Sequence, residues 1–319
     1  MSTPVPFDKR PFSQKIVLPA KRPSIVPSEV EPSKSAENKR SLFELEQIEV
    51  SWDEDRQTLW SYMRPRSRPS YNPDILEDFH AWQRGIDEMF AGHEDEIHYL
   101  VLGSRWPGVY SLGGDLNLFA RQIRSRDREG LVAYGRSCVR ILHRNFNSLD
   151  LPMVTIGLVQ GDALGGGFES LLSFNVIVAE RDAKFGFPES MFGLFPGMGA
   201  YSLLARLLGT ARAEEIILGG RTYTAEEMKD LGVVHILAEP GQGLDETHAY
   251  IDRQKRRRNG SRSVYQAGRE VAPLSLDELD RIVEIWADAC MKLGERDLRV
   301  MERLIAAQDR LQGIPQAAE

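Results

Sequence analysis

Short apolar runs that alternate with longer segments of helical periodicity constrain this chain more than any other feature. Ile97–Gly103, Met153–Val159 and Val176–Ala179 are apolar runs of strand length. Between and before them lie helical patterns. Asn72-Pro73 supplies an N-cap and a first-position proline, and Ile75, Phe79, Trp82, Ile86 and Met89/Phe90 follow at helical spacing. Two further helices are predicted over 115–125 and 127–147, and a shorter one over 166–173 after a glycine-rich turn. Ile48, Val50 and Trp52 alternate with polar residues ahead of Asp53–Arg56 and a second run, Thr58–Met63, which reads as a β-hairpin. Strands interleaved with helices predict an α/β fold with repeated βα crossovers. Beyond residue 196 the pattern is mostly helical, and Thr224/Glu227 and Ser275/Glu278 fit capping boxes. The stretch 274–312 has too many apolar positions for a helix packed on one side, which predicts burial between the core and a neighbouring subunit.

Composition narrows the classes. The first 40 residues hold seven prolines and eight Lys/Arg against four Asp/Glu, with few large apolar residues. Such a segment cannot bury enough surface to offset its ordering entropy. We therefore expect a disordered N-terminal extension over 1–42, a core over 43–245 and a C-terminal helical oligomerisation region over 246–319. A net charge of −7 argues against coating nucleic acid or an anionic membrane. No apolar run approaches the length of a membrane span, and none is long enough for a signal-peptide core. The expectation is a cytoplasmic protein with no nucleic-acid partner and no membrane insertion. Two cysteines, Cys138 and Cys290, build neither a disulfide framework nor a cysteine metal site. There is no P-loop, no G-x-S-x-G elbow and no H-E-x-x-H, and Ser170 stands where G-x-G-x-x-G needs its last glycine. Neither a metal nor a cofactor is expected.

Two glycine turns carry the chemistry. Leu112-Gly113-Gly114-Asp115-Leu116 and Leu164-Gly165-Gly166-Gly167-Phe168-Glu169 each join the end of a strand to the start of a helix. Backbone N–H groups at a helix start are unsatisfied and sit in a positive field, and glycine lets a substrate approach them. Two such turns brought together can aim two donors at one oxygen, an oxyanion hole. Glu169 follows the second turn among apolar neighbours, and Glu189 follows Phe187-Pro188 in similar company. An ionisable residue in apolar surroundings is costly unless it is used or paired. Two carboxyl groups near an oxyanion hole can share acid and base work, with burial raising at least one pKa toward neutrality.

The segments Tyr110–Leu116, Gln160–Glu169, Phe187-Pro-Glu189 and Gly193-Leu-Phe-Pro196, in this order, resemble the crotonase (enoyl-CoA hydratase/isomerase) superfamily. The resemblance implies a spiral of ββα turns with a C-terminal helical trimerisation region, an acyl thioester on acyl-carrier protein or coenzyme A as substrate, and a homotrimer or dimer of trimers. Carried onto this chain, the oxyanion amides would belong to Leu112 and Gly166, and Gly113 and Gly114 would line the substrate. Glutamates at both positions imply a hydratase or dehydratase, with Glu189 as base for the α-proton and Glu169 as the acid that releases or positions water. The wording Ser-Leu-Gly-Gly-Asp-Leu, Leu-Phe-Pro-Gly-Met-Gly-Ala-Tyr201 and Glu284-Ile-Trp-Ala-Asp288 is similar to bacterial diffusible-signal-factor synthases. That likeness implies dehydration of 3-hydroxyacyl-carrier-protein to the cis-2-enoyl form, followed by thioester hydrolysis, which releases a cis-2-unsaturated fatty acid as a quorum signal. It also implies a possible sensor-kinase partner. An enoyl-CoA hydratase/isomerase of β-oxidation, or a regulatory protein binding such a kinase, is the alternative. Trp286 and Leu304 are candidates to line the acyl tunnel. Arg121, Arg124, Arg126 and Arg128 are candidates to dock an acidic carrier.

Overall fold

The computed structural model describes residues 43–312, and the extension expected over 1–42 lies outside the described residues. Two sheets are built by one winding of the chain. The six-stranded sheet runs in the order β1 (Ile48–Asp53), β2 (Thr58–Met63), β3 (Tyr99–Ser104), β5 (Val154–Val159), β7 (Val176–Glu180), β10 (Ile236–Ala238). The four-stranded sheet runs β4 (Val109–Ser111), β6 (Asp162–Leu164), β8 (Lys184–Gly186), β9 (Thr222–Thr224). β1/β2 and β8/β9 pair antiparallel, and every other neighbour pairs parallel. The strand pairs β3/β4, β5/β6 and β7/β8 each place one strand in each sheet, and helices return the chain for the next turn. This is an α/β fold, as the alternation of strand and helix patterns implied, wound as the ββα spiral that the family resemblance implied.

The returning helices follow their local signals. In α1 (Pro73–Phe90), Asn72 accepts the Ile75 N–H at 2.9 Å and Pro73 stands at the first position. The helices α2 (Leu116–Arg124) and α3 (Arg128–Phe146) are capped by Asp115 and Asp127. By contrast α4 (Gly166–Leu171) has no side-chain cap, and its leading residue, Gly165, sits at φ 52°. After β8 come a 3-10 turn, Pro188–Phe192, and helices α5 (Ala200–Leu208) and α6 (Thr210–Gly219). In α7 (Ala225–Asp230), both capping-box bonds between Thr224 and Glu227 form. The outer face of the large sheet is covered by α8 (Gly243–Gln254), whose Ile251 packs with Trp60, Val101, Ile156 and Val178.

Three helices close the described chain: α9 (Arg258–Val271), α10 (Leu276–Cys290) and α11 (Glu295–Gln312). In α10, Ser275 caps Glu278, but the Glu278 carboxylate is taken by Arg206, so only half of the expected box forms. Leu279, Val283, Trp286 and Cys290 of α10, with Leu298, Met301 and Leu304 of α11, join the main core. A Cβ on Gly135 of α3 would stand 2.7 Å from Val283 Cγ1, so these two helices cross too closely for any larger residue. The surplus of apolar residues over 274–312 is thus absorbed largely within the chain itself. The apolar side chains left exposed lie mainly elsewhere, at Leu218, Val264 and Val271.

Candidate active site

The spiral presses the two glycine turns against each other. Gly113 has φ +91°, and a Cβ there would meet Gly166 N at 2.6 Å and Leu164 O at 2.9 Å. No side chain fits this approach, so the glycine is required by both conformation and space. From the other side, a Cβ on Gly166 would lie 3.4 Å from Gly114 N. Gly114 N and the start of α4 are therefore neighbours. The Leu112 N–H is not available with them, because it is donated to Pro69 O at 2.7 Å. The geometry thus moves the first donor expected at Leu112 two residues on, to Gly114. Pro69 lies far upstream in sequence, and only the folded chain shows that it claims the Leu112 amide.

Glu169 is wholly buried on α4. Its Oε1 accepts the N–H groups of Met198 at 2.8 Å and Ala200 at 3.0 Å, and its Oε2 has no partner. Burial pushes its carboxyl up to about 7, against the pull of those two N–H donors toward the charged form. Glu189, in the 3-10 turn after β8, is pushed up to about 8, first by burial and then by the charge of Glu169. Its Oε2 also lacks a partner. The Glu189 carboxyl lies over the second glycine turn, since a Cβ on Gly165 would stand 2.6 Å from its Oε1. The pair therefore favours one shared proton near neutral pH, with Glu189 the stronger holder.

A cavity opens on each side of this pair. The larger lies between α1, α3 and α4. Leu76, Phe79, Trp82, Ile141 and Leu142 give it apolar walls, and Gly166 and Glu169 reach it at one end. The smaller is lined by Gly114, Glu189, Phe192, Gly197 and Trp286 among others. Met198 lines both, so one thioether side chain forms part of the wall between them. Trp286 packs edge-on against Phe119, and a Cβ on Gly197 would come within 2.3 Å of its ring. Leu304 is buried in the core and lines neither cavity, which removes it from the expected tunnel. The walls of the larger cavity were missed because their residues read as ordinary helix cores. The polar residues Gln83 and Asn145, on otherwise buried helix faces, were the available signal.

Three of the four candidate docking arginines are engaged within the chain. Arg124 pairs with Glu295 and Glu302, Arg126 donates to Met291 O at 2.6 Å, and Arg128 pairs with Glu284 and Asp288. They tie α2 and α3 to the last two helices. Arg121 is exposed and makes no ion pair among the described residues. No group of three or more His, Cys, Asp or Glu among the described residues is placed to hold a metal, and both cysteines are buried thiols. No helix among the described residues is long and apolar enough to cross a membrane.

Comparison with known proteins agrees with this geometry. The chain is 27% identical over 258 residues to a probable mitochondrial enoyl-CoA hydratase 2 of Arabidopsis thaliana, covering 80% of this chain and 77% of that protein. A 92-residue stretch is 48% identical to a mevalonyl-coenzyme A hydratase of Beauveria bassiana, covering 28% of this chain and 33% of that one. Among solved structures, Pseudomonas aeruginosa DspI superposes with a TM-score of 0.59 at 25% identity, covering 76% of this chain and 97% of that one. The family profile described as enoyl-CoA hydratase/isomerase matches residues 86–267. That match runs through both glycine turns and both glutamates and spans more than half of the sequence, so this chain belongs to the enoyl-CoA hydratase/isomerase family.

Proposed function

We propose that the protein adds water to, and removes it from, the acyl chain of a thioester, interconverting 2-enoyl and 3-hydroxyacyl forms. The observation that carries this reading is the pair of glutamates at the joined glycine turns, Glu169 buried and Glu189 half-buried, each with an unpartnered buried oxygen. The thioester oxygen accepts from the Gly114 and Gly166 N–H groups, which stabilise the enolate formed when the α-carbon loses its proton. In hydration, Glu189 gives its proton to C2, and Glu169 takes one from the water that adds to C3. Dehydration runs the same steps backwards, with Glu189 removing the α-proton and Glu169 protonating the departing hydroxyl. Both directions use the enzyme carrying one shared proton and differ only in which carboxyl holds it.

The finer reading is a signal synthase that dehydrates 3-hydroxyacyl-carrier-protein to the cis-2-enoyl thioester and then hydrolyses it to the free acid. Its support is the wording of the sequence around Tyr110–Leu116, Leu194–Tyr201 and Glu284–Asp288, together with the apolar cavity beside Glu169. A homotrimer is proposed with it. The test supplies purified protein with 2-enoyl and 3-hydroxyacyl thioesters on coenzyme A and on acyl-carrier protein. It follows the enoyl-thioester absorbance and identifies any free acid by mass spectrometry, with sedimentation for the assembly. A cis-2 free acid formed from the carrier-protein substrate supports the synthase. Reversible hydration of trans-2-enoyl-CoA with no free acid returns the protein to an enoyl-CoA hydratase. No turnover of any of these defeats the reading.

A further inference from the structure

The larger cavity carries hydrogen-bonding capacity that a plain alkyl tail cannot use. Gln83 and Asn145 both line it and are 1% and 4% exposed. Gln83 Nε2 donates to the carbonyl oxygen of Ile141 at 2.9 Å. A carbonyl partner accepts only the nitrogen, so the amide is oriented and Oε1 is left as an acceptor, without a partner. Asn145 is fixed by a relay. Ser173 Oγ donates its proton to Ser170 O at 2.6 Å, so it must accept from Asn145 Nδ2 at 2.8 Å, which leaves Asn145 Oδ1 unpartnered. Two buried carbonyl oxygens, on residues that line a mostly apolar space, are thus held by the protein as acceptors. Leaving such groups unmet is expensive, and native proteins rarely do so.

We propose that this cavity selects acyl chains bearing a hydroxyl group beyond C3, whose proton is donated to the side-chain carbonyl of Gln83 or Asn145. The proposal rests on the thioester reading above. Ser173, which orients Asn145, stands four residues beyond Glu169, in the turn just past the end of α4. A hydroxyl on C3 is the one Glu169 handles, so acceptors on other residues of the same cavity address a second hydroxyl further along the chain. An alkyl tail would fill the volume and strand both carbonyls, whereas a hydroxylated tail satisfies one of them and keeps the apolar contacts. A site built to bond a hydroxyl discriminates strongly against the analogue that lacks it.

The test measures binding of matched saturated acyl-CoAs of about six to eight carbons, each with and without a terminal hydroxyl, to the full-length protein by titration calorimetry. At least one hydroxylated chain is expected to bind about tenfold or more tighter than its plain partner. Gln83→Met and Asn145→Leu are each expected to shrink that preference, with folding checked by circular dichroism. Equal or weaker binding of every hydroxylated chain overturns the proposal, as does a preference that survives in both variants, because resident water then satisfies the carbonyls. The comparison within the wild-type protein stands even if a variant fails to fold. These probes carry no hydroxyl on C3 and so cannot be dehydrated, and the two readings fail separately. Selective binding without turnover of any 3-hydroxyacyl or 2-enoyl thioester defeats the catalytic reading alone, and turnover without selective binding defeats this proposal alone.

Discussion

Glu169 and Glu189 are the same residue type in the same site, yet the chain holds them differently. Glu169 sits inside a helix, and two backbone N–H groups grip one of its oxygens. Glu189 sits in a single 3-10 turn and lies over Gly165, with its Oε2 unbonded. Two N–H donors favour a carboxylate, whereas burial beside another negative charge favours a neutral acid. The difference shows how one fold gives the same side chain two proton affinities: by deciding which carboxyl receives backbone donors.

The largest effect that could break this contrast comes from removing either carboxyl. Glu169→Gln and Glu189→Gln should each lower kcat/KM for hydration by about 10²–10⁴-fold in folded protein. The double variant should lose little more than the worse single, because both groups serve one transition state. A folded Glu189→Gln enzyme with near-normal turnover would sink the assignment. Next is the floor beneath Glu189. Gly165→Ala would place a Cβ 2.6 Å from its Oε1 at φ +52°, so kcat should fall by about 10²-fold through misplacement of the carboxyl. Gly209→Ala is the control: it has a similar positive φ, +83°, but nothing lies within 4 Å of the added methyl, so it should cost stability and leave kcat unchanged.

The contrast can also be sharpened by pH. The kcat/KM profile should be a bell with its maximum between about pH 7 and 8, falling about tenfold per unit on either side, because activity needs the single shared proton. Both carboxyl pKa values are raised on folding above the ordinary 4.5, so the folded state binds the extra protons. The stability this contributes is complete below about pH 4.5 and is lost as pH rises through about 7 to 8. Denaturant midpoints of Glu189→Gln should therefore decline less over that window than those of the wild type, and parallel declines would contradict the raised values. The smallest effect concerns the basic surface. Charge reversal at Arg124, which pairs with Glu295 and Glu302, should lower Tm slightly and leave the ratio of KM values for acyl-carrier protein and acyl-CoA unchanged. If any arginine of this group docks a carrier, reversal at Arg121 should raise that ratio.

The architecture was legible because its signals are local. Apolar strand runs, the Asn72-Pro73 helix start and the Thr224/Glu227 box all report on neighbours a few residues away. The signals that misled are those decided by distant partners. Arg206 takes the Glu278 carboxylate, and Pro69 O takes the Leu112 N–H. The two glycine turns and the two glutamates stood out in the sequence as unusual residues, but which amide faces Gly166 depends on packing. The larger cavity left almost no trace, since Leu76, Phe79 and Leu142 satisfy helix periodicity whether they pack on protein or line a space. The apolar wealth of 274–312 suggested a partner's surface, and much of it is used within the chain, as the approach of Val283 to Gly135 shows.

The two N–H groups that grip Glu169 belong to Met198 and Ala200, on the chain that runs on from the turn carrying Glu189. The two acids are thus joined by a mechanical tether as well as by a field. Any swing of this segment away from α4 strips Glu169 of both donors and lets water reach its carboxyl, and because burial is the larger influence the exposed acid holds its proton less tightly. Segment opening is therefore coupled to proton release and grows easier as pH rises. The exchange of the Met198 and Ala200 amide hydrogens with solvent then becomes a clock for the site, running ahead of its intrinsic pH dependence as Glu169 takes up its charge.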